Sequence, residues 1–241
     1  MNENEYDITG NIIPEVHFLR IHLSRGYGLI DVQIFQSIYF QVPKLAHYVP
    51  NFITEEEEQE ILKQVNGVPL PKWTQLSHRR LQNWGGVPHP KGMIAEEIPK
   101  WLQKYIDKIS TLNVFVEKSL PNHVLINEYL AGQGIMAHSD GPMFHPISHV
   151  HIFHPSILEQ KLEFSFLLER RSLLILQEDL YHNYLHAIAE RGSDIISSSL
   201  IKNLSICGQS YMEGQEINRG TRVSLTIRNV PRTSKLKLKF G

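Results

Sequence analysis

The sequence predicts an α+β chain in which helices brace an all-β body, and three observations predict it. The stretch VPNFITEEEEQEILKQVNG carries the start and stop signals of a helix. Behind Pro99, the apolar residues Ile98, Trp101, Leu102, Tyr105, Ile106 and Ile109 recur at the spacing of a helix with one buried face. After residue 120 the chain changes character, and short β-leaning runs recur between polar or glycine-containing links. Helices followed by many strands make an α+β chain.

Residues 1–42 show no clean period and carry no usable motif, so they are set apart as an N-terminal extension of unknown role, with the main domain spanning 43–241. The apolar part of that extension, Val16 to Val42, is interrupted by Arg20, Arg25 and Asp31 and falls short of a membrane span. The opening MNENEYD lacks the basic character of a signal peptide. No membrane association is expected, and the expected location is the cytoplasm, the nucleus or both.

In the first helix Thr54 is the N-cap, Glu57 its capping-box partner and Gly67 the stop, with Ile61, Leu62 and Val65 forming the apolar stripe. The second helix follows Pro99. Strands are expected over His123–Leu130, Ser172–Gln177, His186–Ala189 and Arg222–Val230. The serine-rich, weakly patterned stretch 193–220 reads as a surface loop.

Hydrophobic residues make up 41% of the chain and charged ones 20%, ordinary globular usage that allows a sizeable core. The formal net charge of −1 means that any nucleic-acid contact comes from a local basic patch rather than a global field. A single cysteine, Cys207, excludes an intramolecular disulfide. Nothing in the sequence fixes the oligomeric state, and a monomer is the default.

The chemistry-bearing residues begin in INEYLAGQGIMAHSDGPM. His138 and Asp140 lie one residue apart, so in a strand both point to one face. With a distant second imidazole they would make a 2-His-1-carboxylate site for Fe(II); alone, the pair is equally a polar turn. The second imidazole has two candidates, His182 and His186, and His186 is preferred because it sits among apolar neighbours as a residue entering a strand does. In GTRVSLTIRNV, Arg222, Ser224, Thr226 and Arg228 share one face while Val223, Leu225 and Ile227 take the other. Two arginines on one face suit the two ends of a dicarboxylate, although the same pattern describes a half-solvated edge strand. Asn127 and Tyr129 share a face by the same two-residue rule.

The ordered set Asn127-x-Tyr129, His138-x-Asp140, His186 and Arg222-x5-Arg228 resembles the AlkB family of Fe(II)/2-oxoglutarate dioxygenases, over roughly residues 43–241. The resemblance implies a double-stranded β-helix (jelly-roll) core braced by N-terminal helices, with a nucleotide-recognition lid around residues 72–93. It implies that His138, Asp140 and His186 bind Fe(II), and that Asn127, Tyr129, Arg222 and Arg228 bind 2-oxoglutarate as co-substrate. The implied activity is oxidative removal of alkyl groups from nucleic acid or a related N-methylated substrate.

Within the lid, Trp73, Arg79, Arg80, Asn83 and Trp84 combine indoles, cations and an amide, a mixture suited to stacking on bases and meeting phosphates. The same residues also describe a hairpin whose tryptophans pack on the core. The sequence departs from the family after His-x-Asp. Where a strand with a Ser-Leu-Gly-type signature belongs, it reads FHPISHVHIFHPSILEQKLEFSF, with two prolines and histidines at 145, 149, 151 and 154. Proline is poorly tolerated in central strands. This departure motivates an alternative expectation: a nucleic-acid-binding or scaffold member of the same fold with impaired turnover.

Overall fold

The structure, a computed structural model, describes residues 16–24, 28–34, 46–112, 115, 120–138, 162–177 and 184–234. Strand β1 (Val16–Ser24), β2 (Gly28–Ile34) and β3 (Ala46–Val49) lead into helix α1 (Glu55–Asn66). Then come β4 (Thr74–Leu76), β5 (Arg79–Trp84), the two-residue β6 (Met93–Ile94) and helix α2 (Lys100–Ser110). The strands that follow are β7 (His123–Tyr129), β8 (Ile135–His138), β9 (Leu162–Leu168), β10 (Leu173–Gln177) and β11 (Tyr184–Ile188). The last are β12 (Ser193–Ile195), β13 (Glu216–Asn218), β14 (Arg222–Arg228) and β15 (Thr233–Ser234).

Both expected helices form, for the expected local reasons. The Thr54 side chain accepts from the Glu57 N–H at 3.2 Å while Thr54 N–H donates to the Glu57 carboxylate at 3.0 Å. That reciprocal cap satisfies two donors with no partner inside the helix, and four glutamates in the first turn complement the positive end of its dipole. At the other end, Gly67 N–H closes onto the Lys63 carbonyl at 2.9 Å. Ile61 and Val65 of α1 and Leu102, Tyr105, Ile106 and Ile109 of α2 enter one cluster with Val124, Ile126, Val223, Leu225 and Ile227. Each such aliphatic side chain contributes about 1.5–3 kcal/mol on burial. The helices therefore cover one face of a sheet.

That sheet has seven strands in the order β3-β10-β1-β14-β7-β5-β4; a second has four, β8-β11-β2-β9. Between them Tyr48, Tyr129, Leu174 and Leu176 from the larger sheet meet Phe164, Phe166, Leu168 and Ile188 from the smaller. Strand β10 is apolar on both sides: Leu173 and Ile175 join the helix-side cluster and Leu174 and Leu176 the inter-sheet one. The body is two sheets packed face to face, with two helices outside the larger.

The extension set apart at residue 42 contributes one interior strand to each sheet. Strand β1 runs antiparallel between β10 and β14, with Ile21 opposite both Leu173 and Leu225. Strand β2 runs antiparallel between β11 and β9. Residues 16–24 and 28–34 are thus strand, and the two expected helices, at 55–66 and 100–110, follow them. Its partners are far down the chain, so no local pattern in residues 1–42 announces the pairing.

The stretch 193–220 is likewise more ordered than a surface loop. Strands β12 and β13 pair antiparallel, and Ile196, Ile201 and Ile217 pack with Leu167 as a small core. Asp194 holds the module together: Arg219 donates two hydrogen bonds to its carboxylate, at 2.6 and 2.7 Å, and Arg191 a third at 2.7 Å. The serine-rich composition hides this because the stabilising groups are a few isoleucines and one buried ion pair.

Candidate active site

Strand β14 forms the floor of the site. All seven of its residues are buried, and it lies between β1 and β7, so it is a central strand rather than a half-solvated edge. Val223, Leu225 and Ile227 face the helices, and alternation sends Arg222, Ser224, Thr226 and Arg228 to the inner face. Directly opposite these on β7 stand Tyr129, Asn127, Leu125 and His123. Strand β5 adds Leu81 opposite Asn127 and Asn83 opposite Leu125, and Arg79, two residues before Leu81, shares that side. Three arginines, two asparagines, a tyrosine, a histidine and two hydroxyls therefore occupy one face of three neighbouring strands.

The electrostatics of this face are those of an anion site. The Arg222 guanidinium lies over the Tyr129 ring, 4.9 Å from its centroid. At the far end of the strand, Arg228 Nε donates to His123 Nδ1 at 3.2 Å, and His123 Nε2 lies 3.2 Å from Asn83 Oδ1. Since Nδ1 accepts, the proton is on Nε2, which donates to Asn83. Burial, reinforced by the Arg228 charge, brings the His123 pKa down to about 3, so the imidazole is neutral. The hydroxyls of Ser224 and Thr226, each 1% exposed, have no hydrogen-bond partner among the described residues. A buried polar group left unpaired costs about 1–3 kcal/mol, so the face is built for a polar occupant.

The histidines lie on the opposing sheet. His138 on β8 and His186 on β11 are directly paired, with ring centroids 4.4 Å apart. His138 Nδ1 is 2.8 Å from the Met136 carbonyl, which can only accept, so Nδ1 carries the proton and Nε2 the lone pair. Ile188 and Ile135, paired on the same two strands, pack in the cluster that contains Tyr129. Tyr129 thus links the histidine pair to the Arg222 end of the polar face. Asp140, the expected third ligand, lies outside the described residues, as do His182 and the histidines at 145, 149, 151 and 154. Among the described residues no group of three or more His, Cys, Asp or Glu is placed to hold a metal ion.

The expected lid residues divide by strand face. Strands β4 and β5 form a hairpin that extends the seven-stranded sheet. Arg80 makes two hydrogen bonds to Glu128, at 2.6 and 2.9 Å, and lies over the Trp73 ring at 4.0 Å. Trp73 and Trp84 pack against the helix-side core, and Trp84 meets Trp101 edge to face at 5.7 Å. Arg79 and Asn83 turn the other way, to the inner face; Asn83 meets His123, while the buried Arg79 Nε has no hydrogen-bond partner among the described residues. The structure therefore brings Asn127, Tyr129, Arg222, Arg228, Asn83 and Arg79 together, and leaves Trp73, Arg80 and Trp84 on the helix side. Sequence reasoning missed His123, although the two-residue rule that aligns Asn127 with Tyr129 also puts His123 on that face.

No family model matches the chain. It is 45% identical over 228 residues to a Danio rerio protein named probable RNA/DNA demethylase ALKBH6, a match covering 87% of this chain and 96% of the relative. It is 25% identical over 207 residues to the Mus musculus protein named tRNA (carboxymethyluridine(34)-5-O)-methyltransferase ALKBH8, covering 76% of this chain and 30% of that one. Among solved structures, that of OsALKBH1 aligns with 79% of this chain and 100% of its own, at 14% identity and a TM-score of 0.46.

Proposed function

Because the chain belongs to the AlkB family, we propose that it is an Fe(II)- and 2-oxoglutarate-dependent dioxygenase that oxidatively removes alkyl groups from nucleic acid. The observation that carries this reading is the opposed His138–His186 pair beside a strand face bearing Arg222, Arg228 and two buried hydroxyls with no hydrogen-bond partner among the described residues. The two packed sheets are, in this reading, the family's double-stranded β-helix. The relative named a demethylase for RNA/DNA supports nucleic acid as the substrate class; the location that goes with this proposal is the cytoplasm, the nucleus or both.

The donor set fits the implied groups. His138 and His186, with Asp140, would hold Fe(II), which when bound supplies the oxidative chemistry on O₂ that amino-acid side chains lack. The chain's own residues do the rest. The Met136 carbonyl holds the His138 tautomer so that the Nε2 lone pair is the one available to a metal. Phe164, Phe166 and Ile188 pack with Tyr129 between the sheets and give the site an apolar wall. Arg222 and Arg228 would take the two carboxylates of 2-oxoglutarate, with Asn127 and Tyr129 donating hydrogen bonds. Six residues of strand span about 20 Å, so the two long side chains would have to converge to reach one small ligand. Arg79, on the same face, would meet a substrate phosphate in this reading.

The test is turnover. The purified chain is incubated with Fe(II), 2-oxoglutarate, O₂ and N-methylated DNA and RNA oligonucleotides, and succinate is measured against His138→Ala and His186→Ala. Succinate that depends on both histidines supports the reading. Tight 2-oxoglutarate binding without succinate on any substrate would instead favour the scaffold alternative, and activity indifferent to 2-oxoglutarate would favour a metal hydrolase.

A further inference from the structure

We propose that His123 is the positioning residue for Arg228, aiming its guanidinium at one carboxylate of a dicarboxylate co-substrate; this rests on the dioxygenase reading. Three neighbouring strands each supply one member of the arrangement. His123 on β7 stands directly opposite Arg228 on β14, and Asn83 comes from β5 on the other side of β7. Arg228 Nε donates to His123 Nδ1, and His123 Nε2 donates to Asn83 Oδ1. Arg228 is 5% exposed and His123 fully buried, so neither swings freely.

The chemistry explains why the position holds a histidine. An arginine that is to meet an anion is best held at its Nε by a neutral acceptor, which fixes the plane of the guanidinium. A carboxylate at position 123 would anchor the arginine but neutralise it, in competition with the ligand. An aliphatic residue would preserve the charge and lose the hydrogen bond at Nε. A neutral imidazole with Nδ1 as acceptor does what is required, provided Nε2 keeps the proton. Asn83 secures that tautomer by accepting it, and the depressed pKa keeps the ring from gaining a second proton beside Arg228.

Two conservative substitutions separate positioning from packing. In His123→Asn the amide oxygen takes the place of Nδ1 and still accepts from Arg228. His123→Gln puts its amide near Nε2, keeping the Asn83 contact and losing the one to Arg228. Binding of 2-oxoglutarate is measured by isothermal titration calorimetry with Mn(II) in place of iron, and folding by thermal melting. We expect His123→Asn to bind within about threefold of the unmodified chain and His123→Gln at least about tenfold more weakly, at similar melting temperatures. In an Arg228→Lys background, His123→Gln should add less than about twofold, because its effect passes through Arg228. Equal losses for Asn and Gln, or an undiminished Gln effect without Arg228, would overturn the inference while leaving the dioxygenase reading standing. Failure of the unmodified chain to bind 2-oxoglutarate would overturn both.

Discussion

His138 and His186 stand directly opposite each other on β8 and β11, with ring centroids 4.4 Å apart. The approach of the two strands depends on Gly134: a Cβ there would lie 2.1 Å from the Ile188 carbonyl oxygen, closer than any side chain tolerates. The glycine that looks like turn punctuation in the sequence is what lets β8 sit against β11. Replacing either histidine with alanine should lower succinate formation by more than the roughly 10–100-fold that loss of an outer-shell partner alone costs. Melting temperature should be nearly unchanged for His138→Ala, and metal content by atomic absorption should fall with activity.

The adjacent arginines of β5 should part company on mutation. Arg80→Ala leaves the mostly buried Glu128 carboxylate without its bidentate partner, and we expect a loss of about 1–3 kcal/mol in denaturant unfolding. Arg79→Ala should change stability little and weaken binding to methylated oligonucleotides, with a shallower salt dependence. Fluorescence anisotropy across a salt series checks the second outcome and urea titration the first.

Stability should fall as the pH drops from 7 to 5, and His123 should account for part of the fall. Its folded pKa of about 3 lies below the ordinary 6.5, so in that interval the unfolded chain binds a proton that the folded chain refuses. The contribution is complete above about 6.5 and is lost as pH falls toward 3. Glu57 titrates lower. Burial acts to raise its pKa, but hydrogen bonds from Lys108, Thr54 N–H and Lys104 bring it down to about 2, so its contribution goes only below about 4.5. Thermal melts at pH 5 and 7 should therefore differ less in His123→Asn than in the unmodified chain.

A chain starting at residue 43 should lose more than an appendage. Without β1 and β2, strands β10 and β14 in one sheet and β9 and β11 in the other lose their shared neighbours. We expect the truncated protein to show slow-exchange protection lost along β14 in hydrogen–deuterium exchange, and to bind 2-oxoglutarate at least about tenfold more weakly. Unchanged protection would show that β14 does not need β1.

Much of this was legible in the sequence where the signal is local. The α1 caps and the α2 stripe are short-range patterns, and β14 announces its two faces by alternation alone. That pattern also grouped Arg222, Ser224, Thr226 and Arg228, as the structure does. What escaped depends on pairing across distance. Strands β1 and β2 reveal their place only beside β10, β14, β9 and β11. The 193–220 module depends on Asp194 meeting Arg219, two polar residues that read as loop. Arg79 and Arg80 look interchangeable until the register with β7 sends one to each side.

The most direct measurement is the stoichiometry of succinate and released aldehyde when the chain meets N-methylated oligonucleotide, Fe(II), 2-oxoglutarate and O₂. We expect the two products in equal amounts, both lost in His186→Ala and both reduced in Arg228→Lys. Aldehyde release independent of 2-oxoglutarate, or no succinate from a folded, metal-loaded chain that binds 2-oxoglutarate, would contradict the assignment.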